Sequence, residues 1–120
     1  MLYDTDERLN ELIERDNTRD NDMERKALFT IFAGNDDLYS KVDKLYDFEE
    51  HAINLDGFEQ VDLSGGAYQL VKLAFNLYSS DNEANVAEVF RSLDEGNYDL
   101  ALKAIDVRFN KSKYRNRQLD

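Results

Sequence analysis

The stretch Ser64–Ser80, SGGAYQLVKLAFNLYSS, decides the fold class. Between Ala67 and Tyr78 its one formal charge is Lys72. Leu70, Val71, Leu73, Ala74, Phe75, Leu77 and Tyr78 put apolar atoms round most of a helical circumference. A helix apolar on nearly every side must be covered by other elements. Ser64 suits the N-cap, where its hydroxyl accepts from an orphan N–H of the first turn. The run is too short, and its flanks too polar, to span a bilayer. The expected architecture is an all-α single domain of five or six helices wrapped round residues 64–80.

The segments on either side supply the wrapping. Helix one is expected near Thr5–Asp16, with Asp4 or Thr5 as its cap and a narrow stripe of Leu9, Leu12 and Ile13. Helix two should begin at Asn21 or Asp22 and end at Ala33, with Ala27, Leu28, Ile31 and Phe32 at helical spacing. Gly34 then stands where a C′ residue takes positive φ. Asn35 should cap a third helix, with Asp36 and Asp37 against the N-terminal dipole and Leu38, Val42, Leu45 and Tyr46 as its stripe.

From Asp47 to Asp62 the apolar residues hold no single period. Irregular cover is expected there, with a helical turn over Phe48–Asn54, a turn at Leu55-Asp56-Gly57 and a short β-hairpin as the alternative. Helix five is expected over Asn82–Asp94 and helix six over Asn97–Asn110, with Gly96 ending the first and the pair closing as an αα-hairpin. Residues 1–110 thus form the domain, and 111–120, KSKYRNRQLD, lack an apolar face and read as a mobile basic tail.

Composition narrows the chemistry. The chain has no cysteine, which removes disulfides, thiolate nucleophiles and thiolate metal sites, and no proline. No signal-peptide pattern or transmembrane run is present, so a cytoplasmic, soluble protein is expected. Net charge is −11, unevenly spread: residues 1–60 carry −10, residues 61–109 carry −4 and residues 110–120 carry +3. An acidic body repels nucleic acid phosphates and anionic lipid. The plain reading of that charge is solubility. The sharper one is a surface that competes for a basic groove on another protein.

Three pieces of local chemistry deserve weighing. His51 is the single histidine, and on a helix Asp47 would share its face, with Glu50 adjacent. That set would seed a small metal-dependent enzyme, but a metal in a bundle core needs further ligands from facing helices. Ser64-Gly65-Gly66 at a helix start offers N–H groups to an anion, yet no lysine follows as in a P-loop. Adjacent acids such as Asp36/Asp37 and Glu49/Glu50 diverge by about 100° on a helix, so they do not converge on one substrate atom. No metal or cofactor is therefore expected. Tyrosine joins apolar area to a polar tip and is favoured in interfaces. Tyr3 and Tyr39, with Glu11, Glu14, Asp36, Asp37, Asp43, Glu49 and Glu50, make the candidate interface.

The pieces ALF at 27–29, GNDDLY at 34–39, YDFEEH at 46–51 and LAFNLY at 73–78 resemble a family of small helical proteins of unknown function. That family belongs to low-GC Gram-positive bacteria, their phages and mobile elements, and the similarity spans about residues 1–109, with the basic tail beyond it. The resemblance implies a mostly helical domain and transfers no catalytic residue. The leading expectation is a non-catalytic acidic protein-binding module that meets a basic protein groove, without binding nucleic acid or membrane itself. Its concrete form is a phage inhibitor of a host nucleic-acid-binding defence protein. The metal-dependent enzyme on Asp47, Glu50 and His51, and an assembly component that self-associates through its tyrosines, are the alternatives.

Overall fold

The computed structural model describes residues 5–109. Among them α2 (Met23–Gly34) carries the longest unbroken buried run, Ala27 through Ala33. Thr30 lies inside that run, and its hydroxyl donates to the Lys26 carbonyl at 2.7 Å, so no polar atom there goes unpaired. α1 (Thr5–Asp16), α6 (Gly65–Tyr78) and α8 (Glu95–Phe109) all pack on α2. α6 buries Ala67, Leu70, Val71, Leu73, Ala74, Phe75 and Leu77 as its composition predicts, and Ser64 caps it by accepting from the Ala67 N–H. The centre is thus shared by α2 and α6. The charged first turn of α2, with Glu24, Arg25 and Lys26, disguises how completely its second half is enclosed.

α1 has the expected bounds, and Leu12 is its fully buried residue. Asp22 rather than Asn21 caps α2, accepting from the Arg25 N–H at 2.9 Å. Gly34 does not have positive φ; it is the last residue of α2. A Cβ there would come within 2.3 Å of the Leu100 side chain, so glycine lets α8 lie close to the end of α2.

The third expected helix is two pieces, α3 (Asp36–Ser40), capped by Asn35, and α4 (Val42–Leu45). The chain then extends into a short antiparallel ladder, β1 (Tyr46–Asp47) with β2 (Ala52–Ile53), Tyr46 opposite Ile53. The hairpin, and not the expected helical turn, is what forms. The Asp47 carboxylate accepts from the N–H groups of Glu49 and Glu50 at 2.9 and 3.0 Å, which holds the reversal, and His51 closes it at φ +56°.

Leu55-Asp56-Gly57, expected as a turn, begins α5 (Leu55–Gln60), capped by Asn54. Gly57 is needed there for closeness: a Cβ would sit 1.9 Å from the Lys44 carbonyl oxygen. α7 (Val86–Arg91) is shorter than expected, because Asn82 is used elsewhere. Its amide donates to the Phe75 and Ser79 carbonyls and finishes α6, leaving Asn85 to cap α7. Gly96 lies inside the first turn of α8, whose start is capped by the Asp94 carboxylate accepting from the Asn97 N–H. α7 packs on α6, and α8 on α2 and α6, so the two are not a side-by-side hairpin; they meet at the edge-on rings of Phe90 and Tyr98. The basic tail, residues 111–120, lies outside the described residues.

Candidate functional site

Two of the candidate acids, Asp36 and Asp43, are tied to α1 across a seam between that helix and the α3–α4 segment. Arg8 donates to Asp36 at 2.8 Å and Arg15 to Asp43 at 2.6 Å, each pair separated by 28 residues. The equal offset means that the two segments run side by side in the same direction. Each guanidinium also covers a ring: Arg8 stands 4.4 Å from the centre of Tyr39 and Arg15 3.9 Å from that of Phe48. Asp37 pairs with Lys41 at 2.8 Å. Exposed pairs of this kind contribute about 0–1 kcal/mol each, but they do neutralise the carboxylates they hold.

Asp36, Asp37 and Asp43 therefore have local partners, and Tyr39 is a half-buried platform for Arg8. Glu11, Glu14, Glu49 and Glu50 are exposed and take part in no ion pair among the described residues. Glu11 shares a surface recess with Arg8 and Tyr39 at one end of the seam, and Glu49 shares another with Arg15, Asp43 and Phe48 at the opposite end. Glu50 lies one residue further round the hairpin. Tyr3 falls outside the described residues.

A second cluster went unseen in the sequence. Asp16, the last residue of α1, has a side chain only 2% exposed. Its Oδ1 accepts from the Tyr46 hydroxyl and from His51 Nδ1–H, both at 2.7 Å. Its Oδ2 accepts from the Thr18 hydroxyl at 2.6 Å, with Arg25 Nε at 3.6 Å. Arg25 ties the same group together by donating to the Tyr46 oxygen (3.0 Å), to Asp22 (2.9 Å) and to the His51 carbonyl (2.6 Å).

Burial pushes the Asp16 carboxyl up, but the bonds from Thr18, His51 and Tyr46, with the charge of Arg25, outweigh it and hold it below the usual range. Burial, reinforced by the bond to Asp16, raises the Tyr46 phenol well above its ordinary value, so it stays a donor. Arg25 is desolvated, yet its bonds to Tyr46 and Asp22 leave it still more firmly protonated than usual. The two non-glycine residues with positive φ among those described, Asn17 and His51, both line the open cleft over this cluster.

The cluster fastens the connector after α1 and the hairpin to the helical body. It also places the three residues of the metal reading. Asp47, Glu50 and His51 are on a hairpin turn rather than a helix face; Asp47 serves backbone N–H groups and His51 serves Asp16. No group of three His, Cys, Asp or Glu side chains is placed to hold a metal among the described residues. At the start of α6, a Cβ on Gly66 would meet the Ser92 carbonyl at 3.1 Å, while Gly65 has no close neighbour, so Gly66 allows a backbone approach.

These features define a small, mostly α-helical single domain with an acidic, arginine-bridged flank. The chain belongs to the family of unknown function DUF6075, whose model matches residues 3–120. The match runs through the basic tail, which the resemblance in the sequence had left outside. Comparison with curated proteins and with solved structures finds no match. No helix among the described residues is long and apolar enough to cross a membrane.

Proposed function

We propose that the chain is a non-catalytic, acidic protein-binding module of the cytoplasm, whose partner carries a basic surface or groove. The observation that carries this reading is the division among the candidate acids. Asp36, Asp37 and Asp43 are matched by local cations, whereas Glu11, Glu14, Glu49 and Glu50 are exposed and in no ion pair among the described residues. Solubility alone needs no such division. Unpaired carboxylates on a body of net −14 attract a basic protein over long range, repel nucleic acid, and occupy positions that phosphates would fill in the partner's groove.

Together with the resemblance to proteins of low-GC Gram-positive bacteria and their phages, this gives the concrete form of the proposal. The protein would inhibit a host nucleic-acid-binding defence protein by competing for its groove. The enzyme alternative has less support, since Asp47 and His51 are engaged with other groups. The test is affinity capture from the host, followed by association kinetics of the captured partner. The Glu49→Lys/Glu50→Lys and Glu11→Lys/Glu14→Lys pairs should each slow association, with salt and added DNA or RNA weakening the complex. A complex indifferent to both charge reversals, to salt and to nucleic acid refutes the proposal.

A further inference from the structure

Tyr98, Leu102, Ile105 and Phe109 follow one another along α8 at spacings of four, three and four, so they fall on one side of the helix. That side borders the core-facing one: Ile105 is half-buried against the core, and the other three stand outward. Ala101 and Ala104 are the fully buried residues of α8, whereas Tyr98 is 44%, Leu102 41% and Phe109 51% exposed. The stripe continues onto α7. The Tyr98 ring meets Phe90 edge-on at 5.5 Å, and Val86, one turn before Phe90, is 71% exposed. Single exposed apolar residues need no explanation, but a stripe joined across two helices by ring contact marks an interaction face.

Charge selects the occupant. Residues 79–109 hold seven acids against three bases. Glu95 and Asp99, one turn apart beside Tyr98 and Leu102, are exposed and in no ion pair among the described residues. Joining two copies of this face would bring like charges together, whereas a basic partner is complementary to it. We infer that α7 and α8 form a docking face for a basic amphipathic helix. Its apolar residues lie over Val86, Phe90, Tyr98 and Leu102, and its flanking lysines or arginines meet Glu95 and Asp99. The face uses none of Glu11, Glu14, Glu49 and Glu50, so it stands independently of the acidic seam.

The test is fluorescence anisotropy with a labelled leucine–lysine peptide patterned for one apolar helical face, and with a permuted peptide of the same composition. Full-length protein should bind the first and not the second. Leu102→Glu, at an exposed site that leaves the urea midpoint unchanged, should weaken binding about tenfold or more. Glu95→Lys with Asp99→Lys should weaken it at low salt. Leu55→Glu, at an exposed leucine on α5, and Glu49→Lys/Glu50→Lys should leave it as it was. Equal binding of the permuted peptide, equal loss from Leu55→Glu, or no loss from Leu102→Glu overturns the inference. So does sedimentation that shows a dimer of the wild-type protein which Leu102→Glu separates, since the face would then belong to a second copy.

Discussion

Replacing Asp16 by asparagine keeps the size and shape of the side chain and removes its charge. The carboxylate takes three hydrogen bonds, from Tyr46, His51 and Thr18, and lies 3.6 Å from Arg25 Nε. Asparagine offers one carbonyl oxygen and an NH2 group, so the Thr18 hydroxyl must turn round to accept, and the bonds from Tyr46 and His51 and the attraction of Arg25 lose their charge. A hydrogen bond to a charged group contributes about 1.5–3 kcal/mol, and removing one partner of a buried ion pair costs about 3–5 kcal/mol. The half-exposed His51 and partly exposed Arg25 can recover some water, which places the expected loss near the bottom of the second range, about 3 kcal/mol. For a 120-residue chain that lowers Tm by roughly 12 °C, taking an unfolding entropy of about 2.1 cal/mol/K per residue.

Urea unfolding at neutral pH, with the slope m unchanged, measures the loss. Its pH dependence has a definite sign. The Asp16 carboxyl titrates below its ordinary value of 3.8 in the folded protein, so its contribution is complete above that value and fades as pH falls through the lowered pKa. The gap between wild type and Asp16→Asn should hold at pH 7 and narrow below pH 4. A loss within about 0.5 kcal/mol, the size expected of an ordinary surface substitution, would refute the account of the cluster as a fastening. So would a gap that stays constant under acid.

Phe75 is buried and meets Phe58 edge-on at 5.2 Å, so Phe75→Ala should cost about 3–5 kcal/mol in urea. Gly57→Ala puts a methyl group 1.9 Å from the Lys44 carbonyl, where only backbone movement makes room, and should cost about 1–3 kcal/mol despite the good helix propensity of alanine. Arg15→Ala removes an exposed pair with Asp43 and the cover over Phe48, and should cost about 1 kcal/mol or less in the same assay.

The long elements were legible because each carries its own signal. Ser64–Tyr78 is nearly uncharged and capped by serine, and α1 sets a three-residue stripe against charge on every other side. The short elements were not. α5 and α7 have six residues each, too few for a period to declare itself, and both contain a cap whose asparagine also suits a turn. Asn82 could be assigned to the start of a helix only until its partners, carbonyls at the end of α6, were known. The acids on the seam were legible as acids, but the cations that cancel Asp36 and Asp43 lie 28 residues away. The Asp16 cluster draws on residues 30 and 35 positions apart, which no local spacing reveals. One clue was available: an aspartate in the last turn of a helix opposes the helix dipole, so it needs a compensating donor elsewhere.

The packing of α8 on α2 sets an order on biosynthesis. α2 ends at Gly34, yet the helix that completes its cover begins at Glu95. Translation at roughly 5–20 residues per second takes about 3–12 s to add the intervening 60 or so residues. Throughout that interval, and for as long again as the exit tunnel hides α8, the nascent chain carries an uncovered stripe of α2. A message truncated anywhere before Glu95 would leave the stripe open for good, and its product would be a chaperone and protease client rather than a smaller version of the domain.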